Sequence, residues 1–596
     1  MNAVRRPSFG AEVAGGGTRF AALADASEVS VRVYDASGSA PRDIALSRIE
    51  EDRFEAVVDG VGHGALYRFV IAGRELPDPY ARFLPHGVHG PAMVVEPRHV
   101  FRAPRIERPL REHVIYELHV GTFTVAGTYA GAAERLTDLV DLGVTTLELM
   151  PLSAFAGSRG WGYDGVALYA PFAGYGTPDE LRAFIDSAHE LGLSLLLDVV
   201  YNHFGPAGNY LTAYSERYFT AAERTPWGDA PDFAHAPMRR YVLDNARYWL
   251  EEFRFDGLRL DATHALCDRS STHVLRELAS SLADLAPKPL LIAEDERNDP
   301  SLVTRLGLDA VWADDFHHQL HVTLNGERDG YYAAYEPGVA GVARAIERGW
   351  LYEGQHSIAK NGPRGAPAQT LDAASFVYCL QNHDQIGNRA FGERLHHLIP
   401  EDAYLAVSLL FLCLPMTPLL FMGQEWAASS PFLYFTDHDE ELGHAIRVGR
   451  SAEFAHFGAF AAETTAVSLP DPQAKETFER SQLDWSERSA PEHARVLELY
   501  RAALALRRSD PVLRDGARER LRAEAHGSLL VVRRWSGRAL RVILVNFGDA
   551  ALPLAELSAL HGIGSARLLL SSRPFPEPSA LPARSAAVFA GNQGSE

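Results

Sequence analysis

Cysteine is scarce. The 596 residues hold three, Cys267, Cys379 and Cys413, an odd number lying in or beside apolar segments. That excludes a disulfide-stapled scaffold and reads as reduced, buried thiols. Long apolar runs are lacking too. The longest, Ala406 to Met422, is interrupted by Pro415 and Pro418, so it reads as a buried helix, a turn and a buried strand, not a membrane span. No apolar stretch follows Arg5 and Arg6, so no secretory leader is expected and the cytoplasm is the expected compartment. Positive charge is in deficit. The net charge is −20 and no Lys/Arg cluster stands out, which argues against nucleic-acid or anionic-membrane surfaces and suits a neutral substrate. There is no HExxH and no tight His cluster, so neither a catalytic metal nor a cofactor is expected.

What is present is the profile of a large soluble core, 46% hydrophobic and 22% charged, over a length that implies two to four domains. Residues 1–105 alternate in short runs such as VSVRVYD (from Val29) and YRFVIAG (from Tyr67), split by Gly, Asp and Pro turns. They predict a small β-sandwich. From about His113 the rhythm becomes strand, helix, strand. HVIYELHVGTF, VTTLELMP, LLLDVVYNH, FDGLRLDA, LLIAED, DAVWADD, YCLQNHDQ and PLLFMGQE are eight strand candidates with helical segments between them. GAAERLTDLVDLG ends at Gly143, a suitable cap, and PDELRAFIDSAHELG has Pro178 near its start and Gly192 at its end. The expected fold is α/β, a (β/α)8 TIM barrel over 106–517, with an irregular insertion at about 204–236 and a less regular insert near 331–368. Alternation returns in LLVVRRW, RVILVNF and ARLLL, which predicts a second β-sandwich over 518–596.

Four of these strands end in acidic or His residues. An apolar run that stops at a carboxylate is costly unless the carboxylate is paired or used, and in a parallel barrel such ends converge on one site. Breaking an acetal between sugars needs a proton for the leaving oxygen and a second carboxylate to attack or steady the oxocarbenium-like centre. Asp261 fits the nucleophile, Glu294 the general acid/base, and Asp384 the group that holds sugar hydroxyls while the ring flattens. Glu294 must begin protonated, and neighbouring carboxylates are one means of raising its pKa. Arg259, two residues before Asp261, shares its strand face and can keep it ionised. Asp198 reads as a structural partner for Arg259 or Asn202. His203, beside Asn202, and His383 can donate to sugar hydroxyls without a charge change. WGYDG (Trp161 to Gly165) supplies Tyr163 and Asp164, and the long third loop supplies Trp227, Phe233 and Tyr210 as stacking candidates. Trp161 reads as a loop anchor.

DVVYNH, GLRLDATH, IAEDE and QNHDQIGNR, in that order on the expected strands, resemble the four recurrent regions of the α-amylase superfamily of retaining glycosidases. The resemblance implies the three carboxylate roles above and places Arg259, His203, His383 and Tyr163 in the subsite of the cleaved sugar. RGWGYDGV, FRFDGLRLDATHAL, IAEDERND, FMGQEWA and PFLYFTDH are similar, more narrowly, to the maltooligosyltrehalose trehalohydrolase family, over nearly the full chain. This implies hydrolysis of the α-1,4 bond next to a terminal trehalose, a carbohydrate-binding-module-like N-terminal sandwich, and a maltooligosyltrehalose synthase as the metabolic companion that supplies substrate. Asp295 and Glu296, with the aromatics near Trp227, are candidates for reading the α,α-1,1 linkage. The calcium ligands of many secreted amylases are not identifiable, so no metal is carried over. The rival readings are a glycogen branching enzyme, which transfers the glycosyl group to another glucan, and a non-catalytic glucan-binding protein.

Overall fold

A computed structural model describes residues 9–34, 40–454, 469–555, 566–575 and 580–592. The stretch around Arg5 and Arg6 lies outside the described residues. Eight parallel strands close into a barrel in chain order: β1 (Ile115–Leu118), β2 (Thr146–Leu149), β3 (Ser194–Val199), β4 (Gly257–Leu260), β5 (Leu290–Glu294), β6 (Ala310–Trp312), β7 (Phe376–Cys379) and β8 (Thr417–Phe421). β8 pairs back onto β1, Ile115 facing Leu419. The architecture is thus a (β/α)8 barrel. Nearly every strand residue is buried, as expected of strands covered by helices outside and by layered side chains inside. Register then places the polar exceptions side by side, Glu117 opposite Glu148 and Asp198 opposite Arg259.

The helices form where the sequence punctuates them. Thr177 accepts from the Glu180 amide at 3.3 Å while the Glu180 carboxylate accepts from the Thr177 amide at 2.7 Å, and Pro178 opens the helix Pro178–Glu190. Leu136–Leu142 ends at Gly143, whose φ of 106° is left-handed. The run from Ala406 becomes the end of helix Glu401–Cys413, a turn, and β8.

Two loops are more ordered than their sequences suggested. The stretch after β3 carries a short helix, Leu211–Tyr214, and an antiparallel hairpin, Phe219–Thr225 with Gly228–Pro231, with Trp227 in its turn. The insert before β7 contains a ten-residue helix, Val339–Arg348. Its apolar residues Val339, Val342, Ala343 and Ile346 recur at helical spacing and are buried, and this periodicity outweighs the surrounding glycines.

N-terminal strands form two antiparallel sheets packed around Phe20, Tyr67 and Phe69. They contact the barrel and its third loop. Tyr214 Oη donates to Pro77 O and Tyr241 Oη to Pro79 O, each at 2.9 Å, and Arg217 bridges Asp25 and Asp52 at 2.7 Å. C-terminally, a five-stranded antiparallel sheet buries both faces. Leu529, Val531, Val542 and Leu544 meet the small strand pair Leu552–Pro553 and Ala580–Leu581. Leu530, Val532, Ile543 and Val545 belong to the main core shared with the barrel helices.

Candidate active site

β3, β4 and β5 bring the side chains at their C-terminal ends together at the mouth of the barrel. The seventh strand, expected to run through YCLQNHDQ, ends at Cys379, and His383 and Asp384 reach the site from the short helix His383–Gly387 capped by Asn382. Arg259 at the centre has no exposed surface and sits 4.2 Å over the Trp312 ring. Its Nη1 donates to Asp198 Oδ1 and Oδ2 at 2.8 and 2.7 Å and to Asp261 Oδ1 at 2.8 Å, and its Nη2 lies 2.8 Å from Glu294 Oε2. One guanidinium therefore serves three carboxyls. A single cation cannot keep three buried carboxylates ionised, so their proton affinities must separate.

They do separate. Burial pushes the Asp261 carboxyl up, but Arg259, His203, the Asn202 amide and a hydrogen bond from Glu294 outweigh it and hold Asp261 below its ordinary range. Glu294 goes the other way. Burial, then the charges of Asp261 and Asp384, drive it well above the ordinary glutamate value against the pull of Arg259. Asp198 is raised by burial to about 6. Asp384 is also raised, by burial first, with His383 and Arg259 opposing. The arrangement thus offers an ionised carboxylate and a protonated one on the same guanidinium.

The His residues differ in state. His383 is buried against Glu117, its Nδ1 2.5 Å from Oε1. Burial lowers its pKa, but Glu117 and Asp384 overcompensate and raise it to about 10, so the ring is an imidazolium. His203 is pulled below its ordinary value, chiefly by burial, with Asp261 opposing. Both of its nitrogens are engaged, Nδ1 with Asn202 Oδ1 and Nε2 with Tyr163 O.

The candidate residues gather here with distinct tasks. Tyr163 Oη donates to Asp198 Oδ2 at 2.6 Å and its ring stacks on His383 at 5.0 Å. Asn202 donates to Asp261 Oδ2 at 2.7 Å and to its carbonyl at 2.9 Å, so its amide is used in aiming that carboxylate. Trp227 reaches over from the third-loop hairpin and stacks on His203, centroids 3.7 Å apart, while 43% exposed. Asp164 stands 3.3 Å from His438. Glu296 is half-exposed beside Lys360 and 3.8 Å from His264. Trp161 is anchored, its Nε1 donating to Leu433 O at 3.0 Å. Two stacking candidates lie elsewhere: Phe233 is buried, and Tyr210 bonds His89.

Three participants escaped the sequence reading. Glu117 and Glu148 sit inside apolar strands and not at their ends, and Trp312 sits within DAVWADD. The available signal was the same one used at the strand ends, an acid in an apolar run. Both Glu148 oxygens are buried with no partner among the described residues, and burial followed by the Glu117 charge keeps that carboxyl protonated.

Comparison with known proteins agrees with this geometry. The family model described as alpha amylase, catalytic domain, matches residues 115–229. The malto-oligosyltrehalose trehalohydrolase of Deinococcus radiodurans is 53% identical over 501 residues, 83% of either chain. A 1,4-alpha-glucan branching enzyme of Corynebacterium efficiens is 30% identical over 45% of this chain and 42% of its own. A Salmonella typhimurium crystal structure described as a candidate alpha amylase superposes with a TM-score of 0.90 at 36% identity, covering 98% of this chain and 100% of that one.

Proposed function

Since the chain belongs to the malto-oligosyltrehalose trehalohydrolase family, we propose that it hydrolyses the α-1,4 bond adjacent to the terminal trehalose of maltooligosyltrehalose, releasing trehalose and a shortened maltooligosaccharide. The observation that carries the mechanism is the shared Arg259, which leaves Asp261 ionised and Glu294 protonated in one site.

Glu294 donates its proton to the glycosidic oxygen as the bond to trehalose breaks. Asp261 attacks the anomeric carbon and forms a glycosyl-enzyme. Glu294, now ionised, takes a proton from water, which attacks the same carbon and frees Asp261. The two carboxyls share one guanidinium, each 2.8 Å from an Arg259 nitrogen, a closeness that supports double displacement over inversion, which needs room for a water between them. Asp384 and the His383 imidazolium hold the hydroxyls of the ring being cleaved, and Tyr163 stacks against it. Arg259 and Asn202 aim the nucleophile. Trp227 and Glu296 face the departing trehalose.

The barrel over 106–517 is the catalytic unit in this reading, with the flanking β-rich regions as braces. A maltooligosyltrehalose synthase is the proposed source of substrate. Among the described residues no helix is long and apolar enough to cross a membrane, and the three cysteines are free. These facts support a reducing, cytoplasmic setting. The test is product analysis with maltotriosyltrehalose and, in parallel, maltopentaose. Trehalose released in preference to maltopentaose cleavage is expected. Rapid maltopentaose cleavage or α-1,6 branching without trehalose would discard the reading.

A further inference from the structure

The segment PFLYFTDH, which follows β8, has no part in the chemistry above, yet it is bound along its length to the loop after β2. Trp161 stacks on Phe432 at 5.2 Å. Ser158 donates to Asp437 Oδ2 through its amide at 2.8 Å and its hydroxyl at 2.6 Å, and Arg159 pairs with Asp437 at 3.0 Å. A Cβ on Gly157 would come within 2.0 Å of Asp437 O, so this close approach requires glycine. At the end of the seam, His438 presents Nε2 to Asp164 Oδ2 at 3.3 Å.

The environments of the two residues differ. The His438 side chain is 4% exposed, and its Nδ1 is buried with no hydrogen-bond partner among the described residues. Asp164 is 22% exposed and follows directly on Tyr163, whose ring stacks on His383 in the pocket of the cleaved sugar. Burying an imidazole with one nitrogen unsatisfied is costly. Fixing the rotamer of a partly exposed carboxylate beside that pocket is a physical return on that cost, because a pre-aimed acceptor loses less entropy when it binds a hydroxyl.

The position of the pair also identifies what it faces. Glu294 stands on β5 and must touch the departing trehalose, because it protonates the bridging oxygen. Asp164 and His438 follow β2 and β8, both next to β1 and across the barrel mouth from β5. The glucan that stays bound to the nucleophile therefore extends toward them. We propose that His438 is a positioning residue for Asp164, and that Asp164 accepts hydroxyls of the second donor glucose, one removed from the ring that is cleaved. This rests on the trehalohydrolase reading and deepens it, because it makes discrimination between one and two donor glucoses depend on a residue outside the group of carboxylates that share Arg259.

The test compares kcat/KM for trehalose carrying two α-1,4-linked glucose units with that for trehalose carrying one, and reads the ratio. His438→Ala and Asp164→Asn should each reduce the ratio about tenfold, and the double variant should reduce it no further, because both remove the same contact. His438→Gln keeps a donor toward Asp164 and should recover part of the loss. An unchanged ratio in Asp164→Asn, additive losses in the double variant, or equal losses on both substrates would overturn the proposal. The last of these is the behaviour of a merely structural joint. If His438→Ala does not fold, Asp164→Asn and His438→Gln give the same comparison. Wild-type enzyme that releases no trehalose from either substrate sinks the parent reading instead.

Discussion

At the scale of single residues, the proton inventory around Arg259 decides how the site responds to pH. Three groups could set the alkaline limit of activity. His203 is pulled below its ordinary value by burial, so it loses its proton on the acid side of neutrality. His383 is held up to about 10 and keeps its proton across the working range. Glu294 is the third: raised by burial, Asp261 and Asp384, it delivers the proton that catalysis needs, and activity falls as pH rises through its elevated pKa. The acid limit belongs to Asp261, which must be ionised to attack and is held below the usual carboxylate range, so activity falls only when the pH drops through that lowered value. We expect a bell-shaped profile of kcat/KM, and Glu294→Gln should reduce the rate strongly and flatten the alkaline limb of what remains. An alkaline limb that survives unchanged in Glu294→Gln would assign it to another group. The three acids and Arg259 stood out in the sequence because each lies at or just beyond an apolar run, although only Glu294 closes its strand and Asp384 falls in the short helix His383–Gly387. Their protonation states did not, because they arise from charges contributed by β3, β4, β5 and the helix after β7 together.

Among the elements, the hairpin after β3 is the one whose role was hardest to foresee. The stretch that holds it is rich in Gly, Pro and aromatics, and nothing in its own periodicity fixes where it lies. Contact with the N-terminal sheets does that, through Arg217 with Asp25 and Asp52 and through the Asp25 amide with Tyr214 O. The outcome is to hold Trp227 flat against His203 at the mouth of the site. Aromatic pairs of this kind contribute roughly 0.5–1.5 kcal/mol. Trp227→Ala should therefore raise KM for long substrates by about two- to tenfold, converting that range at 1.4 kcal/mol per decade, with a smaller effect on kcat. A loss confined to kcat, with KM unchanged, would move Trp227 from substrate binding to support of His203. Helices with clear punctuation, such as Pro178–Glu190 with its capping box, were readable in advance. Val339–Arg348 was hidden because glycines at 338, 341 and 349 interrupt the local signal although the apolar spacing is intact.

For the whole molecule, the N-terminal sheets act as a brace. Tyr80 packs at 4.9 Å against both Tyr169 and Tyr241 of the barrel layer, and Arg82 lies over the rings of Tyr169 and Tyr248. Removing residues 1–105 would expose this aromatic seam to water and release the third-loop hairpin. The truncated chain should be aggregation-prone or melt at markedly lower temperature, with activity lost alongside. A truncated chain that melts with the full-length protein and retains turnover would show that the sheets do not brace the barrel.

The sequence alone determined that eight strands alternate with helices and which acids gather near their C-terminal ends, since periodicity and capping are local properties of the chain. Where the strands stop was not fixed, since the first ends at Leu118 and the seventh at Cys379, each short of its apolar run. Tertiary structure alone decided which of those acids is ionised, which ring nitrogens are already engaged, and which distant residues meet. Glu117 holds His383 from 266 positions away, and His438 reaches Asp164 from the far end of the barrel. The reason is physical: proton affinity and hydrogen bonding depend on distance through space and on the water excluded between groups, and neither is encoded by neighbours along the chain.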